Sequence, residues 1–277
     1  MNFVAEKQQA GRRPPVAMTI AGSDSCGGAG IQADLKTFEA LGVFGTSAIT
    51  AITAQNTRGV TDVVVLEPEA VVHQIEAVAA DFAIGAVKTG MLATAPIVEA
   101  AGETIQRLGL GPLVVDPVMV ATSGDPLLAP DAVEAYRRVL FPLADVITPN
   151  TLEAQALTGL PVRTLDDARR AADALRQLGV RAALVKGGHL DGETEAVDVL
   201  ADQEGETLFR SERIETTSTH GTGCTMASAI AAHLANGHAL REAIAGAKTY
   251  LTEALRHAPG LGSGHGPVRH LWSLTKP

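Results

Sequence analysis

The chain has 277 residues, of which 46% are apolar and 19% are charged, a length that accommodates one large domain or two smaller ones. Its formal net charge of −9 argues against nucleic acid or an anionic membrane surface as a partner. The two cysteines exclude a disulfide framework and predict a reducing cytoplasm. No apolar run reaches the ~18 residues that a membrane span needs.

Residues 1–15 carry charges and glutamines without an apolar segment, which predicts a loose polar tail rather than a secretory signal. Beyond them, short β-branched runs alternate with longer helical patterns. The predicted strands are 16–21, 46–52, 60–66, 83–87, 113–115, 146–148, 182–185, 196–200 and 207–210. The predicted helices are 31–41, 68–80, 95–108, 130–139, 152–157, 165–178, 222–235 and 240–255.

This alternation predicts an α/β fold whose mostly parallel central sheet is covered by helices on both faces. The last two strands flank a turn-forming segment, residues 202–205, so we expect an antiparallel hairpin at one edge. We find no internal repeat or linker. The sequence therefore predicts a single domain over residues 16–277.

Polar or glycine-rich segments follow five of the predicted strands, at residues 22–30, 88–91, 116–119, 149–153 and 186–189. Open α/β sheets bind ligands beyond the carboxyl ends of their strands. We therefore expect these segments to border one shared cleft.

The segment from Thr219 to Cys224 (THGTGC) opens directly onto a predicted helix. Gly221 and Gly223 allow a tight turn, and the unpaired amides of a helix start, with roughly half a positive charge from the dipole, suit a phosphate. The positive potential of the helix start also favours the thiolate form of Cys224. This pattern indicates a phosphoryl-transfer site, although an ordinary helix start is an alternative.

Polar residues after the later strands can be interpreted either as structural or as ligand-binding residues. Asn150 and Glu153 have the spacing of a helix cap, whereas Glu153 with Asp116 would suit a Mg²⁺ ion that keeps most of its waters. Lys186, before two glycines, would reach a nucleotide phosphate or is a solvated surface lysine.

Gln55 offers one acceptor and two donors, which suits an amino-substituted ring, but it is equally compatible with an ordinary loop. Asp34 lies at a helix start, where an acid interacts favourably with the dipole. His220 is a loop histidine or a base, and Cys26 is interpreted as a small loop residue.

Eight segments, in one order along the chain, resemble the hydroxymethylpyrimidine/phosphomethylpyrimidine kinases of thiamine biosynthesis. They are residues 19–24, 27–37, 54–60, 88–92, 116–119, 148–150, 186–189 and 219–224. The resemblance covers roughly residue 15 to the carboxyl end. It implies a ribokinase-like three-layer sandwich, mostly parallel with a small antiparallel edge. It also implies that ATP phosphorylates 4-amino-5-hydroxymethyl-2-methylpyrimidine and then its monophosphate.

The resemblance also implies roles for particular residues. Cys224 takes the place of the aspartate base of sugar kinases and forms an anion hole with Gly221, Thr222 and Gly223. The pyrimidine would be bound by Gln55, Gly22, Asp34 and Met91. The ATP phosphates would be held by Lys186, Asn150 and Gly188, and Mg²⁺ by Asp116 and Glu153 through water. We expect only small-molecule substrates as ligands, and a homodimer.

The chain departs from the family pattern at Cys26, where a small hydroxyl residue or glycine is usual, and at Thr122, where a lysine is frequent. Two alternatives remain at this point. A pyridoxal kinase would share the fold, and a catalytically silent nucleotide or pyrimidine sensor would be expected to lose Cys224, Lys186 or the glycines.

Overall fold

The computed structural model describes residues 13–119 and 132–274. Its centre is one nine-stranded sheet in the order β3-β2-β1-β4-β5-β6-β7-β8-β9. The strands are β1 (Val16–Asp24), β2 (Phe44–Asn56), β3 (Gly59–Val65), β4 (Ile84–Thr89), β5 (Leu113–Val115), β6 (Val146–Ile147), β7 (Ala183–Gly187), β8 (Ala196–Asp202) and β9 (Gly205–Ser211).

Helices connect most of the parallel strands. They are α1 (Gly30–Ala40), α2 (Pro68–Ala79), α3 (Ala95–Leu108), α4 (Ala132–Ala135) continued by a π-helical turn (Tyr136–Leu140), α5 (Thr151–Thr158), α6 (Leu165–Gln177), α7 (Thr222–Ala235), α8 (Leu240–Arg256) and a short 3₁₀ turn (Trp272–Leu274). None of the helices in these two stretches combines the length and the apolar character of a membrane span.

Two apolar clusters pack against opposite faces of the sheet, which makes the three layers. Helices α2 to α6 cover one face, where Ile75, Ile105 and Leu175 are buried. Helices α1, α7 and α8 cover the other, where Phe38 and Ile230 are buried. Because both faces are covered, β1, β4 and β5 are continuous apolar runs rather than alternating patterns.

The predicted elements are confirmed, with boundaries shifted by a few residues. The parallel pairs run from β2 through β7, and the predicted hairpin of β8 and β9 is antiparallel. The opposite edge differs from the prediction, because β3 pairs antiparallel with β2. Strand alternation alone does not specify the direction of a partner, and the Thr57–Arg58 turn has no strong hairpin motif.

Three predictions fall partly or wholly outside the described residues. The polar tail lies there except for residues 13–15, and so does Thr122. The predicted helix 130–139 is described from Ala132 onward, as α4 and its π-helical turn.

Candidate active site

A cavity of about 710 Å³ lies where the parallel strands end. Almost all predicted site residues line it. They are Gly22, Gln55, Met91, Asp116, Asn150, Glu153, Lys186, Gly188, Gly221, Thr222, Gly223 and Cys224. The expected shared cleft is therefore present in the structure.

The loop before α7 forms one wall of the cavity through close contact with the glycine-rich loop after β1. Gly221 caps α7 with φ +77°, and a Cβ there would lie 1.8 Å from the Gly28 carbonyl oxygen. No side chain fits at this position. The Thr225 amide donates to Gly221 O at 2.8 Å, while the amides of Gly223 and Cys224 belong to the first turn and have no intrahelical acceptor.

Cys224 is a half-buried free thiol on this wall. Burial raises its pKa to about 11, and the carboxylates of Asp34 and Asp116 add to the increase. The Lys88 ammonium and a hydrogen bond from the Gly30 amide act in the opposite direction. The expectation that the helix field favours the thiolate is therefore wrong for the unliganded chain, because desolvation of the sulfur outweighs the nearby positive charge.

Asp116 and Lys186 face the cavity next to the start of α7. The Lys186 ammonium lies 3.0 Å from Asp116 Oδ1, and Thr148 Oγ1 donates to the same oxygen at 3.1 Å. A Cβ on Gly223 would lie 3.2 Å from Lys186 Nζ. A charged lysine and the α7 amides thus point to the same part of the cavity, as an anion site requires.

Glu153 forms the helix cap that its spacing predicts, and it also lines the cavity. Asn150 Oδ1 accepts hydrogen bonds from the amides of Leu152 and Glu153, and Glu153 Oε2 accepts one from the Asn150 amide. This capping box places Glu153 at the cavity. Burial raises the pKa of its carboxyl to about 7, Lys186 opposes the rise and Asp116 adds to it.

The opposite end of the cavity is formed by the ends of β1, β2 and β4. A Cβ on Gly22 would lie 3.1 Å from Met91 Sδ, so the thioether packs directly over that strand. Gln55 lies at the end of β2, where its Oε1 accepts a hydrogen bond from Thr53 Oγ1 at 3.1 Å. The same hydroxyl lies 3.0 Å from the Ser23 carbonyl oxygen, so its one hydrogen is shared, and Gln55 offers both its amide oxygen and its NH₂ group to a ligand.

Comparison with known proteins identifies the family. A family model described as phosphomethylpyrimidine kinase matches residues 24–269. The chain belongs to the phosphomethylpyrimidine kinase family. It is 54% identical over 261 residues to a hydroxymethylpyrimidine/phosphomethylpyrimidine kinase of Rhizobium meliloti, an alignment that covers 92% of this chain and 96% of the relative.

The solved structures that resemble this chain include a phosphomethylpyrimidine kinase and a pyridoxal kinase. The phosphomethylpyrimidine kinase of Clostridium difficile is 46% identical, with a TM-score of 0.78 over 87% of this chain and 99% of its own. The ADP complex of Bacillus subtilis pyridoxal kinase is 40% identical, with a TM-score of 0.88 over 95% of this chain and 100% of its own. The predicted fold is confirmed.

In this member of the phosphomethylpyrimidine kinase family, Asp34 does not line the cavity, contrary to the expectation that it contacts the pyrimidine. Its carboxylate is fully buried beneath the cavity. It accepts hydrogen bonds from Thr19 Oγ1 at 2.6 Å, from Ser228 Oγ at 2.5 Å and from Lys88 Nζ at 2.8 Å. Because the inner face of α1 packs against α7 and the sheet, Asp34 points at Lys88 instead of the ligand space.

Lys88 is the residue that sequence reasoning missed, although it lines the cavity of this family member. A lysine that directly follows the buried apolar run of a central strand was the available signal, because an unpaired ammonium is not tolerated there. The run Ala83–Val87 was identified as a strand, and β4 extends through Lys88 to Thr89.

A second contact within the site joins the two glycine-rich loops. His220 Nε2 lies 2.8 Å from Asp24 Oδ2, and the Asp24 carboxylate also accepts hydrogen bonds from the amides of Cys26, Gly28 and Ala29. Asp24, Cys26 and His220 each bring one ligand-type atom within 4.8 Å of the others. The Asp24 carboxylate is already satisfied by these donors, so it acts as the tie between the loops.

Proposed function

We propose that this chain is the kinase that transfers the γ-phosphoryl group of ATP to 4-amino-5-hydroxymethyl-2-methylpyrimidine and then to its monophosphate, in thiamine biosynthesis. One observation carries the proposal: the helix start at Gly221–Cys224, Lys186 and the carboxylates of Asp116 and Glu153 border one cavity that also contains Gln55. The relatives named above carry the same activity in their names.

The proposed chemical step is an in-line displacement at phosphorus. The hydroxyl oxygen of the substrate forms a bond to the γ-phosphorus, the bond to the bridging oxygen breaks, and ADP leaves with the electron pair. Cys224, whose pKa burial raises to about 11, would accept the hydroxyl proton only when ionised, and the Lys88 ammonium favours that ionisation. The amides of Gly223 and Cys224 donate to the oxygens of the phosphoryl group in transit, where the charge is greatest.

In the second step, a phosphate oxygen of the monophosphate is the nucleophile. It is already ionised at neutral pH and releases no proton. Cys224 then has only to tolerate the additional negative charge next to it. The two steps therefore place different demands on the same sulfur.

Asp116 and Glu153 fit a Mg²⁺ ion by the chemistry of their donor atoms. Both carboxylates face the cavity, and burial, more than the repulsion by Asp116, raises the pKa of Glu153 to about 7. A divalent cation held there, largely through water, would neutralise the β- and γ-phosphate oxygens. Lys186 would then release Asp116 and contact phosphate, with Asn150 and Gly188 beside it.

Pyridoxal phosphorylation is the second candidate, because solved pyridoxal kinases share the fold at TM-scores up to 0.88. We favour the aminopyrimidine because the relative that is 54% identical is named a hydroxymethylpyrimidine/phosphomethylpyrimidine kinase, whereas the pyridoxal kinase is 40% identical. The apolar contact of Met91 over Gly22 suits a flat ring of either kind.

One assay tests the assignment: ADP release with hydroxymethylpyrimidine, its monophosphate and pyridoxal, each at equal concentration. We expect the highest kcat/KM with the two pyrimidines. Turnover of pyridoxal alone would reassign the chain to the second candidate. No ADP release with any of the three, from protein that binds ATP, would favour a sensor.

We also propose that residues 16–277 form a single domain and that two copies associate through the β2–β3 edge. Strand β3 at this edge exposes Val63, Val64 and Val65, and the exposed Ile52 of β2 pairs with Val64; exposed apolar side chains grouped in this way are typical of an interface. Light scattering should give the mass of a dimer for the wild type. Val64→Glu should give a monomer if the face is the interface.

A further inference from the structure

We propose that Lys88 is a positioning residue for phosphoryl transfer: held from below by Asp34, its ammonium supplies a fixed positive charge next to Cys224. The inference rests on the proposed function and extends it, because it assigns a role to a residue pair that lies under the anion hole rather than in it.

The first support is the way that the ammonium is held. Lys88 Nζ lies 2.8 Å and 3.0 Å from the two carboxylate oxygens of Asp34, and both side chains are completely buried. Thr19 and Ser228 donate to the same carboxylate, so Asp34 is saturated and cannot rotate away. The lysine is therefore fixed in position as well as in charge.

The second support is the placement of this group relative to Cys224. Ser228 lies four residues after Cys224 on α7, so the two side chains share one face of the helix, one turn apart. The bond from Ser228 to Asp34 turns that face toward Lys88. Lys88 and Cys224 both line the cavity and interact electrostatically with each other.

The third support is a position that provides space for the ammonium. A Cβ on Gly90 would lie 2.7 Å from Lys88 Nζ and 3.0 Å from the Ala21 side chain. Gly90 immediately precedes Met91 of the pyrimidine end of the cavity. The absence of a side chain at Gly90 thus lets the charge lie between Asp34 and the reacting groups.

The groups that face Cys224 are few and can be named. They are Lys88 from β4, Lys186 from β7, Asp34 from α1, Asp116 after β5 and the Gly30 amide at the start of α1. Lys88 and Lys186 are the two cations among these described groups, and the others that carry charge are carboxylates. Negative charge at the sulfur, or on the phosphoryl oxygens beside it, is therefore balanced by Lys88, which is fixed in position, together with Lys186, which also pairs with Asp116.

A test that does not depend on turnover uses the reactivity of the Cys224 thiol. The chain has two cysteines, so Cys26→Ser leaves Cys224 as the single thiol. In that background, Lys88→Met combined with Asp34→Asn removes the ammonium without leaving an unpaired buried charge. We expect iodoacetamide alkylation at pH 8 to be slower by about 2- to 5-fold, because the loss of the Asp34 charge offsets part of the loss of the ammonium, and kcat to fall about 100-fold with KM values changed much less.

The matched control removes another buried lysine–aspartate pair, Lys248→Met with Asp198→Asn, whose atoms lie 2.7 Å apart. Its alkylation rate should equal that of the background, and Lys88→Arg should keep most of the rate of the parent. An unchanged alkylation rate in the Lys88/Asp34 variant overturns the inference. A fall in kcat would then reflect a structural effect of the substitutions rather than the loss of the charge beside Cys224.

If the double variant does not fold, Gly90→Ala replaces it, since the added methyl group displaces the ammonium. The same slowing of alkylation supports the inference, and an unchanged rate overturns it. Wild-type protein without kinase activity would refute the proposed function instead, whatever the thiol measurements show.

Discussion

Of the three lysine–aspartate pairs that the structure describes at the cavity, Lys88–Asp34 and Lys186–Asp116 lie nearest to Cys224 and differ in what surrounds them. Lys88 and Asp34 are completely buried, and Asp34 is saturated by two further hydroxyl donors. The Lys186 side chain keeps 15% of its surface exposed, and its partner Asp116 has one other donor, Thr148. The first pair is therefore suited to hold a charge in place, and the second to exchange partners when a phosphate and a cation arrive.

The largest contrast should appear in the free energy of unfolding. Lys88→Met leaves Asp34 charged and buried, which should cost about 3–5 kcal/mol. Lys186→Met should cost less, about 1–3 kcal/mol, because Asp116 borders the cavity and keeps its hydrogen bond from Thr148. Urea unfolding at pH 7.5 measures both, and equal losses would contradict the distinction between a fixed pair and an exchangeable one.

Cys224 lies between the two pairs, and its removal should affect chemistry rather than nucleotide binding. Cys224→Ala should lower kcat by about 100- to 1,000-fold, the usual effect of removing one group that stabilises transferred charge. The dissociation constant of ATP should change little, because Lys186 and the α7 amides remain. Steady-state kinetics and calorimetric titration of ATP measure the two quantities, and near-normal turnover would remove Cys224 from the mechanism.

Substitutions at the two ends of the cavity should change different Michaelis constants. Gln55→Ala should raise KM for the pyrimidine about 10-fold, the equivalent of one hydrogen bond, and leave KM for ATP unchanged. Lys186→Met should do the reverse. The comparison fails if both variants raise both constants equally.

The smallest effect concerns the pH dependence of the Mg²⁺ requirement, which involves Glu153 next to the Lys186–Asp116 pair. Because its pKa is raised to about 7, Glu153 becomes protonated as the pH falls from 8 to 6. The concentration of Mg²⁺ needed for half-maximal rate should then rise by up to about 10-fold. Glu153→Gln should need more Mg²⁺ at pH 8 and show a flatter dependence. A wild-type requirement that does not vary with pH would exclude Glu153 as a metal ligand.

The same shift has a consequence for stability, with a definite sign. The folded chain holds the Glu153 proton up to about pH 7, whereas the unfolded chain releases it near the ordinary value of 4.5. The contribution of this group to the free energy of unfolding therefore decreases as the pH rises between those values. Without Mg²⁺, Glu153→Gln should remove that part of the slope in urea unfolding measured at pH 5 and pH 7.5.

Much of the site could be predicted because its residues follow strands. Asp116, Asn150 and Lys186 come directly after, or at the end of, apolar runs, so parallel pairing brings them together whatever the details of packing. The assignment of Asp34 to the ligand rests on the family resemblance, whereas its place at a helix start indicates only a favourable interaction with the dipole. Which way it points depends on the contact of α1 with α7, and Ser228, its partner on α7, is 194 residues away.

The sequence alone determines the order and type of the helices and strands. The spacing of apolar residues and the position of turn-forming residues are local patterns, each only a few residues long. The left-handed turn at Gly221 is local in the same sense. The charge state and partners of buried groups were decided only by packing between distant segments: the thiol at Cys224, the pairing of Lys88 with Asp34, and the second antiparallel edge. Desolvation and Coulomb energies depend on what lies nearby in space, and no local pattern encodes that.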